Sequence, residues 1–460
     1  MRGLWLCLAV GAGIAAILMS HAHLARTLLA LVALGALALA AWDVETALGF
    51  LLVYLPFRTL VEAVAPTPLK FAADVAVLVV VARAVLLHPQ RIFPLDAIEW
   101  LGVAFAAVAL AVTAHAHASL AGGIAELRDL LLFWLLYAGV RRLRLAGDGP
   151  GADFWARAVP LGLASIAFVG LQGMVGLVHG GAYRDLLLPG PWLHEPISAV
   201  NAHRPYGLVN NPNVYGELGF IALILTLDRL RAAEYRRSLP SLALAALFVA
   251  MIAVSGSRTT WIISLVGLVA YFATGRRAVE RVAIAAAAAG LAVGVLAPPP
   301  AHHRIVSAAS HATIRRSIKS GRLQTVRLAM ELARRHPTGT GLATFGSGAS
   351  RVFNHRHTPG APRRFYADDE YAALLVETGL FGFGLFLATG LSVFARLARA
   401  PTPADGRLCA FVLFLAIAIV SGAANGWEQL NLTLYPWLAL AVLAVPFGGR
   451  TPERPAALTA

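Results

Sequence analysis

The chain has 460 residues, of which 58% are hydrophobic and only 13% charged, with a formal net charge of +14 and a mean hydropathy of +0.70. Soluble globular proteins carry about 25% charged residues, so the composition excludes a water-soluble globule and points to a polytopic membrane protein. Nucleic acid is excluded as a partner on the same grounds, because the basic residues are divided between membrane-flanking turns and one loop, without an aromatic-rich recognition fold.

Apolar runs recur along the chain without period-two alternation, which suits helices crossing about 30 Å of hydrocarbon rather than barrel strands. In order they fall at 4–20, 28–41, 44–57, 71–87, 97–114, 125–140, 156–177, 213–228, 240–255, 259–274, 281–297, 370–394, 407–423 and 432–447. The expected fold is therefore an all-α integral membrane bundle of about 12 to 14 spans. The uncertain region is 28–57, where Asp43 and Glu45 interrupt two short pieces. The first run has no small-residue cleavage site after it and is read as an anchor rather than a signal peptide. Cys7 and Cys409 both lie in apolar runs with no ligand spacing, so neither a disulfide framework nor a structural metal is expected.

Arginine sets the expected orientation. The connections at 141–155 (Arg141, Arg142, Arg144), 229–239 (Arg229, Arg231, Arg236, Arg237), 275–281 (Arg276, Arg277, Arg281) and 395–406 (Arg396, Arg399) alternate with connections poor in basic residues. Short cytoplasmic loops carry such an excess. Both termini are then expected in the cytoplasm and two large loops, 178–212 and 298–369, on the opposite side. The chain divides accordingly into N-terminal spans (1–177), spans with the first external loop (178–297), a large basic loop (298–369) and C-terminal spans (370–460).

The basic loop is the one long polar interval. From 298 to 367 it holds twelve Lys and Arg against the single acid Glu331. Within it, LQTVRLAMELARR (323–335) spaces Leu323, Val326, Met330 and Leu332 near helical period, with Arg327, Glu331 and Arg334 toward another side, so an amphipathic helix on the membrane or the bundle mouth is expected. The equally balanced alternative is a surface helix of a small extramembrane domain. HPTGTGLATFGSG (336–348) follows, where Pro337 and the glycines end the helix in a turn whose backbone N–H groups could approach an anion. It lacks the Gly-Lys-Ser/Thr of a nucleotide loop, so ATP is not indicated and no cofactor is expected.

Two further polar clusters fall on the same face. The first external loop offers Tyr183, Arg184, Asp185, His194, Glu195, His203 and Arg204, then NNPN (210–213). SGSRTTW (255–261) puts Arg258 in a tight connection between two spans. An arginine there either snorkels to the headgroups or serves a site at the bundle mouth. Inside spans, Glu126, Arg128 and Asp129 either neutralise one another or line a cavity, and Glu428 with Asn425 and Asn431 either contacts sugar or forms a wetted turn.

Four stretches together resemble the O-antigen ligase and polymerase superfamily: RPYGLVNNPNVYG (204–216), SGSRTTW (255–261), GRLQTVRLAMELARRHPTGTGLATFGSG (321–348) and ADDEYAALLVETGLFGFGLF (367–386). The resemblance implies a bacterial inner-membrane glycosyltransferase with its active face in the periplasm. Its donor would be an undecaprenyl-diphosphate-linked glycan, and its acceptor a glycan or lipid-linked sugar. Arg204 and Arg258 would grip the diphosphate and stabilise the leaving group, as a bidentate, permanently charged guanidinium can. Arg322, at the head of the amphipathic helix, matches another recurrent arginine, and Tyr206, Asn211, His336, Asp369 and Glu370 fall among the matched residues as candidate substrate contacts. No carboxylate pair with metal spacing is evident, so metal-independent transfer is expected.

One departure stands out. Ligases of this family show Ala-His-Asn-Glu-Tyr where this chain has Ala367, Asp368, Asp369, Glu370 and Tyr371. Asp368 therefore takes the place of the histidine that orients or deprotonates the acceptor, unless His336, His355 or His357 substitutes, or unless Asp368 and Asp369 only cap the next helix. The departure favours a polymerase over a ligase acting on lipid A-core. The rival class, a polysaccharide or lipid transporter, would show paired inverted repeats with broken helices, and no such halves are apparent.

Overall fold

The computed structural model describes residues 43–64, 71–91, 95–151, 153–179, 205, 207–209, 211–232, 238–272, 322–346, 369–399, 404–422, 426 and 429–446. The expected spans at 4–20, 28–41 and 281–297 lie outside them. The described residues are helical, joined by turns and short 3-10 segments, with no strand among them.

The helices are α1 (Val44–Tyr54), α2 (Arg58–Val64), α3 (Ala72–Leu87), α4 (Ala97–His115), α5 (Leu120–Ala146), α6 (Phe154–His179), α7 (Pro212–Ala232), α8 (Ser238–Val254), α9 (Arg258–Phe272), α10 (Arg322–Arg335), α11 (Glu370–Arg399), α12 (Ala404–Ser421) and α13 (Leu430–Leu443). Four stretches are long and apolar enough to cross a membrane: Val44–Val61, Ala97–His115, Phe154–Leu177 and Glu370–Arg399. Leu239–Val254, Arg258–Tyr271, Arg407–Ser421 and Leu430–Leu443 are shorter apolar helices. The expected all-α membrane fold is thus present. The doubtful 44–57 run is longer than its hydropathy shows, because a 3-10 turn at Leu55–Phe57 carries α1 into α2. Its two acids have structural work. Asp43 caps α1 by accepting from Thr46 N at 3.0 Å, and Glu45 pairs with Arg157 at 2.8 Å.

Sequence-local signals fix most helix ends. Asp96 and Glu99 form a reciprocal capping box at the start of α4, Ser119 caps α5 through Gly122 N, and Gly147 closes α5 in the left-handed region at φ 89°. Each cap is worth about 1 kcal/mol. Packing between helices relies on small residues: Gly139 of α5 faces Val80 and Val81 of α3, and Gly216 of α7 faces Ser255 and Thr260 beside α9.

The contacts sort the helix ends into two groups. At one end, Arg141 and Arg142 of α5 meet Asp96 and Glu99 at the start of α4 (3.0, 3.2 and 2.6 Å), and Arg396 of α11 also pairs with Asp96. Arg144 donates to the carbonyl of Val445 after α13 at 3.2 and 3.0 Å. This is the basic end. At the other end sit the start of α11 and the last turn of α12, tied by Tyr371 Oη donating to Ala418 O at 2.8 Å. The start of α9 is there too, since Gly267 lies level with Val412 of α12 and α9 runs antiparallel to it.

Candidate functional site

At this second end the glycine-rich turn after α10 is seated on the bundle, and its backbone can be accounted for donor by donor. Gly339 N reaches His336 O at 2.9 Å, Thr340 N reaches Val376 O at 2.9 Å, and Gly341 N reaches Glu377 O at 2.9 Å. Leu342 N donates to Thr113 Oγ1 of α4 at 3.0 Å, and Ala343 N to Glu126 Oε2 of α5 at 2.6 Å. Thr344, Phe345 and Gly346 all donate to Glu377 Oε1, at 3.0, 2.7 and 2.9 Å. The turn does bring its N–H groups to an anion, as its composition suggests. The anion is internal: the buried carboxylates Glu126 and Glu377, 2% and 0% exposed. Every N–H from 339 to 346 is committed, so this stretch is a keyed joint rather than an open phosphate cradle.

The joint exists because α11 is broken where the turn meets it. Gly379 has φ 69° and ψ −176°, outside helical space. The break frees the carbonyls of Val376 and Glu377, which accept the two N–H groups above, while Leu380 N donates back to Pro337 O at 3.0 Å. Two backbones lie against each other here. A Cβ on Gly379 would stand 2.5 Å from Pro337 O, and one on Gly339 would stand 2.6 Å from Glu377 O. Ala343, a non-glycine at φ 61°, is held in this sparsely populated region by its bond to Glu126.

The amphipathic helix is present as α10, and it rests on the bundle mouth. Its packed side is in part the one expected, since Leu332 packs on the bundle, Val326 is half-buried, and Arg327, Glu331 and Arg334 are exposed. Ala329 is buried against Phe345, Ala372, Ala373 and Val376, with Leu328 and Leu332 packed around them. Met330 is 47% exposed and points away with Arg327 and Glu331. Met330 is the departure from the expected stripe, and the small Ala329, which that stripe did not include, lets α10 approach α11 closely. His336 closes α10 and is exposed.

The expected site residues divide as follows. Arg258 opens α9, half-buried, just after Ser257, whose Oγ accepts from Thr260 N at 3.3 Å. Its guanidinium has no hydrogen bond or ion pair among the described residues. Asn211 caps α7, its Oδ1 accepting from Asn213 N at 2.9 Å. Asp369 caps α11, its Oδ1 accepting from Ala372 N at 3.1 Å, and Glu370 beside it is 1% exposed. Arg204, Tyr206, Asp368, His355, His357, Asn425 and Glu428 lie outside the described residues, as does the side chain of Arg322. Of the charged trio in α5, Arg128 and Asp129 pair as expected at 2.9 Å. Arg128 also pairs with Asp74 of α3, and Glu126 turns to the glycine joint. Sequence reasoning passed over Thr113 and Glu377; the available signal for Glu377 was an acid inside an apolar run.

Beneath this mouth, α4, α5, α11, α12 and α13 line a partly open cavity of about 270 Å³ whose walls are almost wholly apolar and include Trp134, Tyr371, Phe386, Phe394, Phe414 and Trp437. Residues 243–387 match the family profile described as O-antigen ligase. The match supports the O-antigen ligase and polymerase superfamily. A search of curated proteins finds no match to the chain. The ligase-family segment takes in most of α8, all of α9 and α10, the glycine turn and α11 through Leu387, so it contains Arg258, His336, Glu377 and Gly379. It does not contain Thr113 or Glu126, which come from α4 and α5 to hold that segment's turn in place. The family description points broadly to a membrane glycosyltransferase of the ligase or polymerase kind.

Proposed function

We propose that the chain moves a glycan from an undecaprenyl-diphosphate donor to an acceptor sugar hydroxyl on the periplasmic side of the bacterial inner membrane, as a polymerase. The observation that carries this reading is Arg258. It is a half-buried guanidinium at the bundle mouth with no protein partner among the described residues, whereas Arg141, Arg142, Arg144 and Arg396 at the other end are all engaged. A membrane-edge cation left without a carboxylate is suited to a diphosphate. The apolar cavity below suits the hydrocarbon part of such a donor.

In the reaction the acceptor oxygen bonds to the anomeric carbon as the bond from that carbon to the diphosphate oxygen breaks. The electron pair leaves with the diphosphate, where Arg258, with Arg204, offsets the growing charge. The acceptor proton passes to Asp368, with His336 as the substitute base. Arg322, Tyr206, Asn211, Asp369 and Glu370 are assigned to substrate contact. Transfer then needs neither ATP nor added metal. The second reading, a ligase delivering glycan to lipid A-core, is favoured by the description of the matching family; the Asp368 departure favours the polymerase.

The test is turnover of purified protein in proteoliposomes with a lipid-diphosphate oligosaccharide. Release of lipid diphosphate should fall at least a hundredfold in Arg258→Ala and only partly recover in Arg258→Lys. Wild-type turnover in Arg258→Ala would remove the diphosphate-gripping role. Products that lengthen the donor glycan identify a polymerase; products found only on lipid A-core identify a ligase.

A further inference from the structure

We propose that the basic end of the bundle holds one phosphate of an anionic phospholipid headgroup, in an open pocket of about 400 Å³ between the start of α4 and the ends of α11 and α13. Arg396 and Arg399 line it, and the charges of the network behind them come from three helices. Asp96 and Glu99 belong to α4, Arg141 and Arg142 to α5, and Arg396 and Arg399 to α11. Both carboxylates are already spent: Asp96 on Arg141 and Arg396, Glu99 on Arg141 and Arg142. Arg399 lines the pocket, is exposed, and forms no hydrogen bond or ion pair among the described residues. Nε of Arg396 is buried without an acceptor. Four guanidiniums against two carboxylates leave an uncompensated positive charge where α4 also presents the positive end of its dipole through Ala97 and Ile98. The carbonyl of Val445, which would repel an anion from the α13 side, is taken by Arg144.

The flank of α11 identifies the occupant as a lipid rather than a free anion. Ser392 and Ala395 line the pocket, and Leu391 and Leu387, one and two turns further into the bilayer, are 69% and 41% exposed. An acyl chain lying along these leucines brings its headgroup phosphate to Arg399, with apolar and charged contacts in the order a leaflet presents them. The phosphate contacts lie at the opposite end of the bundle from Arg258 and the glycine joint, while Leu387 and Leu391 also line the apolar cavity assigned to the donor's hydrocarbon; Arg399 and Ala395 line only the basic-end pocket.

The experiment is native mass spectrometry of the full chain in detergent, offered phosphatidylglycerol, phosphatidylcholine or inorganic phosphate. Wild type should retain phosphatidylglycerol roughly fivefold more strongly than phosphatidylcholine. Arg399→Glu should abolish that preference and Arg399→Lys keep it. Ala395→Trp, at an exposed position, should block the pocket with every arginine in place. Lipid-diphosphate turnover should be unchanged in all three variants. Equal retention of the two lipids by wild type, or an undiminished preference in both Arg399→Glu and Ala395→Trp, overturns the proposal. Competition by millimolar inorganic phosphate as strong as that by phosphatidylglycerol would overturn the lipid assignment.

Discussion

Replacing Glu377 by Gln tests the glycine joint directly. One carboxylate oxygen of Glu377 accepts from three consecutive backbone N–H groups, those of Thr344, Phe345 and Gly346, and the side chain is fully buried. Hydrogen bonds to a charged group are worth about 1.5–3 kcal/mol and neutral ones about 0.5–1.5. The amide keeps the shape and one acceptor, so each bond weakens by about 1 kcal/mol and the turn loses about 2–3 kcal/mol in all, allowing for three donors sharing one oxygen. Glu377→Ala removes the acceptor altogether and leaves three N–H groups stranded, at about 1–3 kcal/mol each. In Glu126→Gln the bond from Ala343 N weakens, with an effect on the turn of about 1 kcal/mol. The assay is hydrogen exchange across 340–346, read by mass spectrometry on the detergent-solubilised protein. Exchange there should accelerate by roughly 30- to 150-fold in Glu377→Gln, by more in Glu377→Ala and by only about fivefold in Glu126→Gln. If Glu377→Ala exchanges this segment at the wild-type rate, the carboxylate does not hold the turn and the donor-by-donor account is wrong. Transferase turnover should follow the same ranking, because the turn carries α10 and His336 into place at the mouth.

Gly379→Ala combines a positive φ of 69° with a Cβ only 2.5 Å from Pro337 O; it should destabilise the fold by about 3 kcal/mol or more, seen as a fall in the thermal midpoint, and a wild-type midpoint would mean the break in α11 is unnecessary. Gly384→Ala, whose Cβ would meet nothing within 4 Å, is the matched control and should be neutral or slightly stabilising. Thr113→Val keeps the volume but strands Leu342 N, with an expected loss of about 1–2 kcal/mol in the same measurement. At the basic end, Glu99→Ala leaves Arg142, which is 8% exposed, without its carboxylate; a loss of about 3 kcal/mol is expected, and an unchanged midpoint would show the network to be solvated.

That the chain is built of apolar helices suited to a bilayer was legible in the sequence, because hydropathy is a local property and a span must satisfy its own backbone hydrogen bonds. The start of α9 at Arg258, the capping box of Asp96 and Glu99, and the close of α5 at Gly147 are equally local: each depends on side chains within a few positions of the helix end. Even the glycine turn was recognisable as a donor-rich segment. What it donates to was not, because its acceptors lie far away in the chain: Thr113 is 229 positions from Leu342, and Glu126 is 217 positions from Ala343. A buried N–H must find an acceptor wherever packing offers one, and only the packing of α4, α5 and α11 puts those acceptors under the turn. The face of α10 that docks, the pairing of Arg141, Arg142, Arg144 and Arg396 at the basic end while Arg258 at the mouth and Arg399 have no partner among the described residues, and the commitment of the turn's N–H groups to Glu126 and Glu377 are therefore decided by tertiary structure, while the sequence alone determined the membrane class, the helix ends and the location of the polar segment that the bundle supports.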